Sequence, residues 1–460
     1  MFIRRKSASA GPEDMTEGVI WRQLLVFILP IMLGGFFQQL YNTADAFIVG
    51  NYVGKEALAA VGGATSAIIN LLVGFFIGLA SGGTVIIAQF YGAGEKEALQ
   101  KALHTAVLLG VLCGGLLMVI GIPLAPYVLT RMDTPDDILD YAVVYMRVYF
   151  LGVIPNILYN IGAGVLRALG DSRRPLYVLI ICCFANIVLD LLFVVVFHME
   201  VFGAALATIL SQFVSCVLVL GMLVKNREEA CRLHWKKLRM DMGIFKRILL
   251  IGIPSGLQSS LYSISNVLIQ STINGFGTNT VAAWTVYGKI EAVFWLVISA
   301  FGIAVTTFVG QNYGARKYDR IKKCVNVSFV MAFAATAVIS TFFVTCGAFI
   351  FRLFNQDPEV LEIGKSVLHM TPPLLFTYVS IEILSAAVRG TGDAIKPTII
   401  TLCGVCVLRV LWIYLVVPHF HTLLCVAFSY PLTWTVTSIV FWLYYRFGKW
   451  MKRAPAEEKQ

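Results

Sequence analysis

The segment RALGDSRRP, from Arg167 to Pro175, returns as RGTGDAIKP from Arg389 to Pro397, and QFYGAG from Gln89 to Gly94 returns as QNYGAR from Gln311 to Arg316. Both pairs are 222 residues apart in a chain of 460, so a unit of about half the length has been duplicated. In an all-helical membrane protein, internal repeats place a binding site at their interface, where two similar halves rock against each other.

Composition makes lipid the solvent. The chain is 58% hydrophobic and 13% charged, with a mean hydropathy of +0.79, which excludes an ordinary soluble globule of this length. A span needs roughly 20 apolar residues, and twelve candidate spans lie near 22–49, 57–88, 102–129, 138–161, 176–197, 201–224, 248–274, 281–310, 325–350, 361–386, 398–417 and 423–445. The first nineteen residues are polar, basic at Arg4, Arg5 and Lys6, and show no secretory signal peptide.

Charge then orients the spans. With the N-terminus cytoplasmic, that side carries 29 Lys and Arg and the opposite loops carry three, Lys55, Arg131 and Arg352. This positive-inside bias places both termini in the cytoplasm and the chain in the plasma (inner) membrane. The net charge of +10 therefore reads as topology and contact with anionic lipid heads, and a nucleic-acid partner is not expected.

The ten cysteines suggest neither metal nor redox use. Cys182, Cys183, Cys216, Cys346, Cys403 and Cys406 lie within apolar spans, and the CxxC of Cys403 and Cys406 has a spacing that also suits one helix face. There is no GxxxxGK[ST] nucleotide loop, HExxH, GxSxG or dinucleotide fingerprint, so an enzyme and a cofactor are not expected.

The longest hydrophilic connection, with eight cations, falls at the midpoint that the repeat requires. The expected organisation is a cytoplasmic tail (1–21), an N-terminal six-helix lobe (22–224), a basic inter-lobe linker (225–247), a C-terminal six-helix lobe (248–446) and a second cytoplasmic tail (447–460). Six spans per half is an even number, so the halves enter the membrane in the same direction, as parallel repeats with the substrate path between them.

The run LPIMLGGFFQQLYNTADAFIVGNYVGKEALAAVG from Leu29 to Gly62, the pair GVLRALGDSRRP and AVRGTGDAIKP, and NIVLD from Asn186 to Asp190 resemble the MATE (multidrug and toxic compound extrusion) family, in its bacterial NorM/DinF-like form. The match runs through nearly the whole chain. It implies an all-α integral membrane fold of twelve transmembrane helices in two lobes, and an antiporter that expels organic cations in exchange for H⁺ or Na⁺.

Such an exchanger needs a group inside the membrane that takes up the driving cation in one state and releases it in the other, which a carboxylate does well. Asp45 in the first span and Asp190 in the fifth are candidates, with Asn186 one turn before Asp190 on the same helix face. The three match the family's N-lobe cation site. Tyr41, four residues before Asp45, is placed to hydrogen-bond near it, and Gln38 continues that face. Competing readings are a hydrated helix-end acid for Asp45 and for Asp190, and a hydrogen bond between helices for Asn186.

The repeat partners of Asp45, Asp190 and Asn186 are Leu268, Trp412 and Leu408, so the second half lacks this set and coupling is assigned to the N-lobe. The C-lobe has its own intramembrane charges, Lys289, Glu291, Glu382 and Arg409, as secondary candidates, and the family resemblance leaves open that acids of the C-lobe carry the ion. Lys289 and Glu291 are two apart and do not share a face. Glu382 lies seven residues before Arg389, where a paired or solvated role is expected. The repeated motifs Arg167, Gly170, Asp171, Pro175 and Arg389, Gly392, Asp393, Pro397 read as joints or gating hinges, in which Gly and Pro interrupt the helices and Arg and Asp tie the loop.

The chain is thus read as a monomeric, alternating-access exporter of small cationic or amphipathic molecules in a lipid bilayer. A flippase for lipid-linked precursors of the same superfamily, an exporter of an endogenous metabolite and a non-transporting membrane protein remain alternatives. No single aromatic among the 57 Phe, Tyr and Trp residues stands out as pocket lining.

Overall fold

The computed structural model describes residues 14–132, 134–354 and 356–451. Regular structure among them is helical throughout: α1 Ile20–Tyr52, α2 Lys55–Gly62, α3 Ala64–Ala93, α4 Lys96–Arg131, α5 Asp136–Leu151, α6 Val153–Ala168, α7 Arg173–Asp190 and α8 Glu200–Val224 in the first half. The second half holds α9 Met242–Asn274, α10 Thr278–Gly314, α11 Tyr318–Phe354, α12 Pro358–Met370, α13 Phe376–Gly390, α14 Ile395–Thr401, α15 Leu408–Leu415 and α16 Leu423–Phe447. Among the described residues, ten helical runs are long and apolar enough to span a bilayer, and two bent pairs bring the number to twelve if each is one span, six in each half.

The bends repeat with the duplication. α5 meets α6 at 50°, and α12 meets α13 at 46°. Proline causes both, since it lacks an N–H and crowds the preceding turn: Pro155 follows the first break, and Pro372 and Pro373 occupy the second. The spans expected over 138–161 and 361–386 are therefore kinked, and they run on to Ala168 and Gly390. The span expected over 57–88 is interrupted as well, because α2 stops at Gly62 and α3 starts at Ala64.

The lobe boundaries shift slightly. α1 begins at Ile20, inside the expected tail, and α16 continues to Phe447. α9 begins at Met242, where the Asp241 carboxylate accepts the Ile244 N–H at 2.9 Å as an N-cap. Lys246 and Arg247 thus ride on a helix, and the linker ends at 241. Arg4, Arg5 and Lys6 lie outside the described residues.

The linker is folded onto the first lobe. The His234 N–H donates to His104 Nε2 at 3.2 Å and the Asp241 N–H to Thr105 Oγ1 at 3.1 Å, both on α4. Cys231, 1% exposed, packs into the apolar core of that lobe. Burial, reinforced by Glu228, pushes its thiol up to about 12. At pH 8 only about one Cys231 in 10⁴ is then a thiolate, so maleimide labelling of the native protein should leave Cys231 unmodified while denaturant exposes it. Mass spectrometry of the Cys231 peptide reads this directly; rapid labelling without denaturant would show that the linker is loose.

The lobes meet mainly along α3, which packs on α9 and α10. Small residues allow the approach: a Cβ on Gly78 would fall 2.5 Å from the Gly256 nitrogen, and one on Gly252 would strike the Leu79 backbone. The seam continues to the end of the bundle that carries the linker.

Candidate functional site

In the first lobe, α1 and α7 pack side by side and bring the sequence-predicted residues together. Asp45 is 8% exposed, and Asn186 and Asp190 are both at 0%. Both acids are therefore inside the bundle, α1 continues to Tyr52, and the hydrated helix-end reading fails for each. Asp45 Oδ1, both Asp190 oxygens and both side-chain polar atoms of Asn186 have no hydrogen-bond partner among the described residues. Asn186 is thus not a hydrogen bond between helices. Buried polar atoms are normally satisfied, and here three polar side chains on two adjacent helices fall short together. The two acids lie within electrostatic reach of one another.

Tyr41 differs from expectation. It gives Asp45 no hydrogen bond and faces Gln38, which is itself exposed. Tyr145 on α5 comes within electrostatic reach of Asp45, Asp190 and Tyr41, and it is 6% exposed. Nothing in the sequence singled out Tyr145, because its place beside α1 and α7 is a matter of packing. A π-helical turn, Leu191–Val196, starts immediately after Asp190. Such widened turns recur at functional sites because they re-aim neighbouring side chains and free backbone groups.

The second lobe surrounds its charges differently. Lys289 is exposed while Glu291 is buried, as the two-residue spacing requires. Glu291 Oε1 accepts the Tyr287 hydroxyl at 3.1 Å, and Glu382 takes the Tyr378 hydroxyl at 3.4 Å and pairs with Arg389 at 3.7 Å. Arg409, 2% exposed, follows a second π-helical turn, Leu402–Val407, and lies 3.9 Å from the centroid of Tyr430. Glu291, Arg409, Trp295 and Trp434 share the wall of a cavity of about 520 Å³ inside this lobe.

The repeated motifs form the joint between lobes. Gln89 Nε2 donates to the Gly390 carbonyl at 3.0 Å, and Gln311 Nε2 donates to the Ala168 carbonyl at 2.7 Å. Each repeat thus binds the Arg-Gly-Asp turn of the other lobe, and the two bonds are equivalent under the duplication. Beside them, Gly92 packs on the Gln311 carbonyl and Gly314 on the Gln89 carbonyl. Gly170 and Gly392 adopt φ of 88° and 96°, which only glycine takes without strain. Asp171 pairs with Arg174 at 3.0 Å and Asp393 with Lys396 at 2.8 Å, while Pro175 and Pro397 stand in the first turns of α7 and α14. Arg167 departs from the expected tie, having no carboxylate partner among the described residues. The N-terminal tail also reaches this joint: the Met15 N–H donates to Gln311 Oε1 at 3.2 Å, and Met15 O accepts from Asn312 and Arg320 at 3.1 Å each.

The sequence profile of the MatE family matches residues 30–192 and again 254–415, one copy in each lobe. The chain belongs to the MatE family. It is 28% identical to the probable multidrug resistance protein YoeA of Bacillus subtilis over 94% of this chain and 95% of that one. It is 26% identical to the probable multidrug resistance protein NorM of Thermotoga maritima, over 96% and 95% respectively. Among solved structures, one described as the outward-facing conformation of a multidrug resistance MATE family transporter of the MOP superfamily superposes with a TM-score of 0.89. It has 26% identity and covers 96% of this chain and 98% of that one. This MatE protein is therefore a multi-pass membrane transporter, and its fold is the expected pair of duplicated six-helix lobes.

Proposed function

We propose that the protein is a secondary active multidrug exporter that exchanges organic cations or amphipathic compounds for H⁺ or Na⁺ by alternating access. The carrying observation is the open cluster of Asp45, Asn186 and Asp190, buried and short of partners on one face of the first lobe. A cation entering from outside completes that cluster. The linker end is the cytoplasmic end, by the 29-to-3 distribution of Lys and Arg, and it is the sealed end, through the Gln89 and Gln311 bonds. That arrangement suits an outward-facing state, and the likeness to an outward-facing relative supports it.

Energetics set the demand on the ion. Moving a two-state equilibrium from 1:99 to 99:1 needs about 5.5 kcal/mol of differential affinity, whereas an inward-moving charge gains about 2.3 kcal/mol per 100 mV. One cation driven by voltage alone falls short, so its concentration gradient contributes too.

Ethidium flux in liposomes of the purified protein, under an imposed pH or Na⁺ gradient, tests the reading. One of the two gradients should drive accumulation against the ethidium gradient. If neither does so for ethidium or a panel of amphipathic cations, export of organic cations is refuted.

A further inference from the structure

We propose that the cavity of the second lobe is a recognition site for an anionic group, a carboxylate or phosphate, carried on a flat aromatic compound, with Arg409 as its receptor. The proposal builds on the exporter reading by naming a cargo chemistry for one lobe.

An acid in an aromatic-walled cavity ordinarily suggests a site for cations. Here that position is taken. Arg409 itself occupies the face of Tyr430 at 3.9 Å and lies 6.0 Å from the Trp434 centroid. A second cation entering beside it would meet a like charge in a buried wall. A ring contact of this kind uses none of the N–H groups in the guanidinium's fork, which grip a carboxylate or phosphate with two parallel bonds wherever they stay unbonded.

The fork is largely unused. Of its five N–H groups, one donates to Thr433 Oγ1 at 3.3 Å, and buried Nε has no partner. No carboxylate stands within 4.0 Å of Arg409 among the described residues. Glu291, on the same cavity wall, lies within electrostatic reach of Arg409 but beyond 4.0 Å, and holds the Tyr287 hydroxyl instead. A buried guanidinium with open donors, facing a space of about 520 Å³, lacks an acceptor that the protein does not provide. The volume lies within the range of roughly 300–1,000 Å³ typical of small-molecule pockets.

The walls specify the rest of the ligand. Trp295 meets Tyr378 at 4.7 Å and Trp434 at 6.0 Å edge to face, and Trp284 leans on Tyr430 at 5.8 Å. These fixed rings suit a planar hydrophobic body. The duplication sharpens the case: the repeat partners of Arg409, Tyr430 and Trp434 are Ile187, Thr208 and Gln212, so the first lobe has no such box. Each lobe thus holds polar chemistry that its duplicate lacks, acids in the first and an aromatic-framed cation in the second.

The test uses the full-length protein in lipid nanodiscs, with no gradient, and two probes that share a ring and differ in charge: 2-naphthoate and 2-naphthyltrimethylammonium. Quenching of tryptophan emission reports binding. Naphthoate should bind wild type at least about tenfold more tightly than its cationic twin, as expected for a charge-assisted pair. Arg409→Gln should erase that preference, and Arg409→Lys should retain part of it. Equal affinities, a preference for the cation or absence of naphthoate binding in wild type would overturn the proposal without recourse to any variant. A naphthoate preference that survives in Arg409→Gln would overturn Arg409 as its cause. Failure of ion-driven flux together with an intact naphthoate preference would count against the exporter and leave the anion site standing.

Discussion

Asp190→Asn should abolish gradient-driven export and leave the protein at least as stable as wild type. Both oxygens of Asp190 are buried without donors, so the folded state gains nothing from the carboxylate that a neutral amide of the same shape would forfeit. A structural acid behaves oppositely, since losing its charge strands the donors that it satisfied. Function has the reverse dependence. The ion shifts the lobes only through its preference for one state, and an amide neither exchanges a proton nor neutralises Na⁺. Gradient-driven ethidium accumulation should fall by about 10²-fold or more, since the lever being removed spans about 10⁴ in affinity. Asp45→Asn should act alike. Accumulation in proteoliposomes read beside a thermal melt decides the matter: a lowered melting midpoint with export retained would make these acids structural and move coupling toward Glu291 or Glu382.

What the sequence shows and hides follows from what each signal encodes. Apolar runs report the solvent along each helix, so the twelve spans were legible. Spacing reports faces, so Asp190 and Asn186 were correctly set on one face. The duplication reports equivalence, and equivalence is not contact: that Gln89 reaches Gly390 while Gln311 reaches Ala168, each into the opposite lobe, required the fold. Arg409 was visible as an intramembrane charge, but its frame of Tyr430, Thr433 and Trp434 comes from another helix, α16. One missed signal lay in plain sight. A tyrosine stands four residues before each of three membrane acids, at Tyr41 and Asp45, Tyr287 and Glu291, and Tyr378 and Glu382, and only the first was read. In the structure the other two make the bond. The π-helical turns depend on packing and left no periodicity to read, whereas the bends carry their signal in Pro155, Pro372 and Pro373.

The second large effect should come from two glycines at the joint, Gly92 and Gly314. A Cβ on Gly92 would press on the Gln311 carbonyl oxygen and lie 2.6 Å from its carbon; one on Gly314 would press on the Gln89 carbonyl oxygen and lie 2.8 Å from its carbon. The obstacles are backbone, and that backbone carries the glutamines whose side chains lock the opposite lobe, so relief comes by separating α3 from α10. Separation breaks both reciprocal bonds together. Overpacking of this kind costs about 1–3 kcal/mol, and each 1.4 kcal/mol or so changes a population tenfold. Gly92→Val and Gly314→Val should therefore shift the lobes toward opening at the linker end by about 10- to 100-fold while each lobe stays folded. Gly115→Ala, where the added carbon meets nothing within 4 Å, serves as the control. A maleimide-reactive cysteine in place of Ala88, 0% exposed on α3 within this seam, should label slowly in the parent and in the Gly115→Ala background, and rapidly in either valine variant. Slow labelling in all backgrounds would show that the joint absorbs the extra carbons and that these glycines do not set the closed state. Because the two glycines report on one interface from opposite lobes, the valines should produce similar opening, and the double variant should add little once the joint has parted.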